Sequence, residues 1–98
     1  DLYLKAPVIS NIKKSQNTRY KIVWKKNKKA DGYKIQISTS KKFKNNKSKN
    51  KRNFKLISSI LRFRNEKEST SYYVRIRAYK VDGKQLHYSA WSNIKILK

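Results

Sequence analysis

No cysteine occurs among these 98 residues, so no disulfide holds the fold together. A domain of this length buries roughly 65% of its unfolded surface and keeps a single core without staples, so the absence leaves the compartment open. No apolar run approaches the roughly 20 residues of a membrane-spanning helix, and no signal-peptide pattern opens the chain. Membrane insertion is therefore not expected. Asp1 stands first, and any export signal is expected to precede it.

Acids are nearly as scarce. Five Asp and Glu face 27 Lys and Arg, a formal net charge of +22. Such a charge raises the free energy of the compact state by self-repulsion. It calls for acidic surroundings: nucleic acid, anionic wall polymer, sulfated glycan or an acidic protein. Lys greatly outnumbers Arg, Asn is abundant, and Gly, Pro and Ala are few. An AT-rich coding sequence and selection for charge each account for that bias.

The shortage of acids and the single histidine also weigh against catalysis. A Ser-His-Asp set requires His87 to lie beside both a Ser and a buried carboxylate. Asp31 and Asp82 both precede Gly in turn signals, while Glu66 and Glu68 sit in a polar loop with no paired partner. Clusters of the kind that hold zinc or calcium are missing. No enzyme activity, cofactor or metal is expected, and His87 reads as a loop or strand-edge residue.

What the chain does have is alternation. In Tyr72-Tyr73-Val74-Arg75-Ile76-Arg77-Ala78-Tyr79 the small and apolar positions Tyr72, Val74, Ile76 and Ala78 face one way and Tyr73, Arg75, Arg77 and Tyr79 the other, the mark of a half-buried strand. Further segments are Val8–Ile12, Tyr20–Trp24, Tyr33–Ile37, Phe54–Ile60 with Leu61–Phe63, and Ile94–Leu97. Asp31-Gly32 and Asp82-Gly83 supply turn signals between them, and nothing reads as a long amphipathic helix. The pattern implies an all-β sandwich forming one domain over 1–98, with 1–5 as linker. Lys41 to Arg52 reads as a solvated loop rich in like charge, with Phe43 expected to tuck against the core edge and pin it. Asn46-Lys47-Ser48 has the form of a glycosylation sequon, to which no role is given.

The chain resembles the fibronectin type III module, in particular the Lys-rich versions of surface and secreted proteins of Gram-positive bacteria. The resemblance rests on Ala6-Pro7-Val8-Ile9, Ile22-Val23-Trp24-Lys25-Lys26, the stretch from Ala30 to Phe43, the Tyr72 run, and Tyr88-Ser89-Ala90-Trp91-Ser92-Asn93, in the family's order. It implies an immunoglobulin-like sandwich of seven antiparallel strands in two sheets, with Trp24 and Tyr33 as core rings. Tyr72 would be the corner tyrosine, its hydroxyl bonded to upstream backbone. Glu66 stands where the family has Leu, so Leu61 or Phe63 is expected to supply that apolar plug. Lys44 to Asn53 lacks the alternation of a bridging strand, which is expected to be short, shifted or frayed.

Two readings compete for the outward face. Lys34, Gln36, Tyr73, Arg75, Arg77 and Tyr79 would form a basic, ring-studded surface suited to polyanions. Alternatively, Tyr88-Ser89-Ala90-Trp91-Ser92 resembles the Trp-Ser-any-Trp-Ser signature of cytokine-receptor modules, in which outward arginines stack on Trp91 for structural reasons. A second set of cations lies in loops: Lys25 to Lys29, and Lys41, Lys42, Lys44, Lys47, Lys49, Lys51 and Arg52. Contacts there would be diffuse and salt-sensitive. The expectation is a non-catalytic, monomeric module of a larger extracellular bacterial protein, acting as spacer, adhesion or interaction domain beside its neighbouring domains. The alternative is a polyanion-binding module for nucleic acid, sulfated glycan or teichoic acid.

Overall fold

A computed structural model describes residues 3–15, 19–43, 52–56, 60–64 and 71–97, with only the backbone for 52–56. Among them the strands are β1 (Ile9–Ser15), β2 (Arg19–Trp24), β3 (Gly32–Ser38), β4 (Arg52–Leu56), β5 (Ile60–Arg64), β6 (Tyr72–Asp82), β7 (Gln85–Tyr88) and β8 (Lys95–Leu97). They form two antiparallel sheets, β1-β2-β5 and β4-β3-β6-β7, with β8 also paired to β6. β7 and β8 are two ends of one strand track along the same partner, so the seven-stranded sandwich expected from the resemblance is the fold observed.

Alternation dictates which side of each strand is dry. Tyr20, Ile22 and Trp24 of β2 meet Tyr33, Ile35 and Ile37 of β3 and Tyr72, Val74, Ile76 and Ala78 of β6 in one core. Each fully buried Val or Ile contributes about 1.5–3 kcal/mol relative to exposure. Trp24 and Tyr33 meet edge to face at 5.3 Å, and the Tyr33 hydroxyl accepts a 2.6 Å bond from the Asn27 amide, fixing the β2–β3 loop. Phe63 is the plug that the resemblance asks for, edge to face with Tyr72 at 5.5 Å, while Leu61 packs half-buried beside the core. The upstream backbone expected to receive the Tyr72 hydroxyl includes 65–70, outside the described residues.

Several boundaries differ from the expectation. Leu4 is only 5% exposed and belongs to the core, so the stretch read as linker contributes a packed side chain. The segment read as Phe54–Ile60 with Leu61–Phe63 divides into β4, paired with β3, and β5, paired with β2, so the chain changes sheets between them. The bridging strand is thus shifted to start at Arg52. β6 runs on to Asp82 and turns through Gly83-Lys84 into β7, an arm not foreseen. Gly83 has φ 62° at the first central position, the type II′ arrangement that matches strand twist and needs glycine. Gly32 is required for a different reason: it opens β3 beneath the Tyr79 ring, which any Cβ there would overlap.

Candidate functional site

The outward side of β3 and β6 is built by register. Lys34 stands opposite Arg77, Gln36 opposite Arg75, Ser38 opposite Tyr73 and Gly32 opposite Tyr79. The sheet therefore brings the expected face together. Its cations, however, do not point freely into solvent.

The reason lies in the strand track beside β6. Tyr88 pairs with Tyr79 at the end of β7, and Lys95 pairs with Val74 at the start of β8. Between these points the ladder is carried by two serines. The Ser89 amide donates to the Ala78 carbonyl (2.9 Å) and the Ser92 amide to that of Ile76 (2.7 Å). In return the Ala78 amide donates to Ser89 Oγ and the Ile76 amide to Ser92 Oγ, both at 2.9 Å. Each hydroxyl then donates to the next carbonyl, Ala90 or Asn93, at 2.8 Å. From Ser89 to Ser92 is three steps while Ala78 to Ile76 is two, and Ser92 to Lys95 is again three against two. Each interval thus holds one extra residue, which makes it a β-bulge.

The first bulge carries Trp91 onto the face. Arg75 lies with its guanidinium carbon 4.0 Å from the centroid of Trp91 and 4.3 Å from that of Phe43. Arg77 lies 3.6 Å from Tyr88 and 4.6 Å from Trp91, and Lys34 Nζ stands 5.8 Å from Tyr88. The order Phe43, Arg75, Trp91, Arg77, Tyr88, Lys34 is one continuous stack of rings and cations, each contact worth about 0.5–2 kcal/mol depending on desolvation. Gln36 Oε1 accepts from both Arg75 Nε (2.9 Å) and its terminal nitrogen (2.7 Å), which explains how a glutamine is buried there. Burial first, and the Arg77 charge second, lower the Arg75 pKa from its ordinary value. The guanidinium nonetheless stays charged at any physiological pH. Arg77 has no such acceptor: its buried Nε is without a hydrogen-bond partner among the described residues.

Phe43 corrects an expectation. Its ring is buried, but it caps the outer stack under Arg75 rather than the core edge. It gets there through φ 51°, a left-handed conformation rare for an aromatic residue, at the end of a serine-lined turn. In that turn Ser38 Oγ accepts from Ser40 N, Ser40 Oγ from Lys42 N, and the Ser40 carbonyl from Phe43 N.

The remaining candidates are dispersed. Tyr79 lies half-buried over Gly32 and edge to face with Tyr88 at 6.4 Å, and Tyr73 sits half-buried between Ser38 and Ile96. Lys41 and Lys42 are exposed in the turn before Phe43. Lys44, Lys47, Lys49 and Lys51 lie outside the described residues, and Arg52 is described only as backbone opposite Ile37. His87 is half-buried on β7, its Nε2 3.7 Å from Asp82. Asp31 ties the loop to β6, accepting from the Val81 amide at 2.7 Å.

Sequence reasoning passed over the other outward face. On β1-β2-β5 the register sets Lys13, Lys21 and Arg62 in one row and Ser15, Arg19 and Arg64 in the next. Arg19-x-Lys21 and Arg62-x-Arg64 carry the alternation that would have revealed it.

A sequence model of the fibronectin type III domain matches residues 6–95. Among solved structures, the FN1–FN3 domains of chicken CNTN1 superpose with a TM-score of 0.70 at 18% identity, covering 99% of this chain and 31% of that one. A fibronectin type III domain derived from human KIAA0970 superposes with a TM-score of 0.56 at 15% identity, covering 95% of this chain and 69% of that one. No curated protein matches significantly. The chain spans about a third of the first of those structures, as a single module within a longer protein does. With the sandwich, the serine-bulged last strand and a model match over nearly its whole length, the chain belongs to the fibronectin type III family.

Proposed function

We propose that this domain is a non-catalytic module of a larger extracellular bacterial protein, serving as spacer, adhesion or interaction unit between neighbouring domains. The observation that carries the reading is the commitment of the conspicuous outward side chains to structure. Arg75 and Arg77 are stacked on rings on both sides, so the face that looks most like a binding site is spent on holding the last strand. His87 supports the absence of catalysis, because its carboxylate neighbour Asp82 is 62% exposed, the opposite of the buried aspartate a triad needs. The resemblance to Lys-rich fibronectin type III modules of Gram-positive surface and secreted proteins supports the bacterial surface assignment.

Protease shaving of intact cells, followed by detection with an antibody to these 98 residues, tests the placement. Loss of signal without lysis is the expected result. Protection until the cells are broken overturns it. The polyanion reading retains the +22 charge as its support, but Arg75 and Arg77 are poorly placed to serve it.

A further inference from the structure

We infer that the outward face of β1-β2-β5 is an anion-binding surface for a linear polymer bearing sulfate or phosphodiester groups. Lys13, Lys21 and Arg62 stand side by side across the three strands, and Arg19 and Arg64 stand side by side one row on. Neighbouring strands are about 4.8 Å apart and alternate residues along a strand about 7 Å, so five cations fall within a patch of roughly 10 by 7 Å. All but half-buried Lys21 are exposed. Where these strands end, a groove of about 650 Å³ is lined by all five together with Ser15 and with Lys14, Tyr20 and Phe63 from the inward side. No acidic side chain pairs with any of them among the described residues.

Like charges directly opposite one another on a sheet are destabilising, and here they repeat across two strand pairs. A bound polyanion relieves that repulsion and releases its own counterions, so the free energy of the row becomes binding energy. The occupant follows from what the face lacks. Tyr20 and Phe63, the rings that line the groove, are each only 4% exposed, so among the described residues no ring there is open to stacking bases. Recognition rests on charge and on the forked guanidiniums of Arg19, Arg62 and Arg64, which suit tetrahedral oxyanions held two oxygens at a time. The spacing of cations in two directions favours a chain of anionic groups over a single ion. On the opposite sheet the rings are present, but Arg75 and Arg77 are already stacked on them.

The test uses the 98-residue chain with three probes: heparin, a poly(glycerol phosphate) and a mixed-sequence single-stranded DNA. Affinity is measured from about 50 to 200 mM salt, the range over which phosphate contacts are lost. The variant Lys21→Gln/Arg62→Gln is compared with Lys25→Gln/Lys28→Gln, which removes equal charge from a loop, and both are checked for cooperative melting at or above the parent's temperature. The expected result is a loss of at least about tenfold and a shallower salt slope, by roughly 2, for the sheet variant only. The stronger of heparin and poly(glycerol phosphate) identifies the source of the oxyanion. Equal losses in both variants would show diffuse attraction and overturn the site, as would an absence of binding near 150 mM salt. DNA bound more tightly than either base-free polymer also overturns it. None of these results bears on whether the domain is extracellular.

Discussion

On the outward side of β3 and β6, Arg75 and Arg77 are each flanked by aromatic rings, and Arg75 donates from Nε and one terminal nitrogen to Gln36. On the outward side of β1-β2-β5, Lys13, Lys21, Arg62, Arg19 and Arg64 stand in rows without a ring or acid among the described residues. The same chemical group thus closes a fold on one sheet and strains against its neighbours on the other. Charge count alone cannot separate these cases. What separates them is whether neighbouring segments deliver rings, as the bulge does with Trp91, the end of β7 with Tyr88 and the turn with Phe43.

The contrast can be broken most sharply at Trp91. Trp91→Ala removes the ring shared by both arginines and should cost about 3 kcal/mol in urea denaturation. A loss below about 1 kcal/mol would mean the stack is decoration. Ser92→Ala leaves the Ile76 amide without its acceptor and should cost about 1–3 kcal/mol, with faster exchange at that amide. Unchanged exchange would show that water replaces the hydroxyl. At Phe43 two substitutions separate ring from backbone: Phe43→Gly should be more stable than Phe43→Ala by about 1 kcal/mol, reversing the usual order, because φ 51° strains any Cβ. Equal stabilities would mean the turn relaxes once the ring is gone.

The smallest effect lies on the opposite sheet and has the opposite sign. Lys21→Gln should raise stability by a few tenths of a kcal/mol at low salt, and the gain should vanish as salt screens the row. The parent chain should itself melt at a higher temperature in moderate salt than in low salt. A salt-independent melting point would remove the repulsion argument for both.

Legibility in the sequence followed burial. β2, β3 and β6 alternate between dry and wet sides, and their inward residues were readable directly. β7 was not, because Gln85, Leu86 and Tyr88 are all exposed and no alternation of dry and wet sides marks it; only Asp82-Gly83 hinted at it. The switch from β4 to β5 was hidden because apolar residues recur across the change of sheet. The stack of Arg75 and Arg77 on Trp91 was visible only through the resemblance of Tyr88 to Ser92 to a known signature. Phe43 was misplaced because a left-handed turn is not written in side-chain periodicity. The cation rows were half-written: alternation puts Arg19 with Lys21 and Arg62 with Arg64, but only register puts the two pairs side by side.

The two serine bulges also divide the last strand mechanically. A pull on the C-terminal end meets β8 first, three residues paired with β6, and these can peel while β7 stays in place. The tension then reaches the paired bonds of Ser92 and the interleaved rings behind them, where several contacts must yield together. A module linked in series with others would give a little length early and resist thereafter. The extra residues that bring Trp91 over the arginines therefore also set where the domain begins to yield under force.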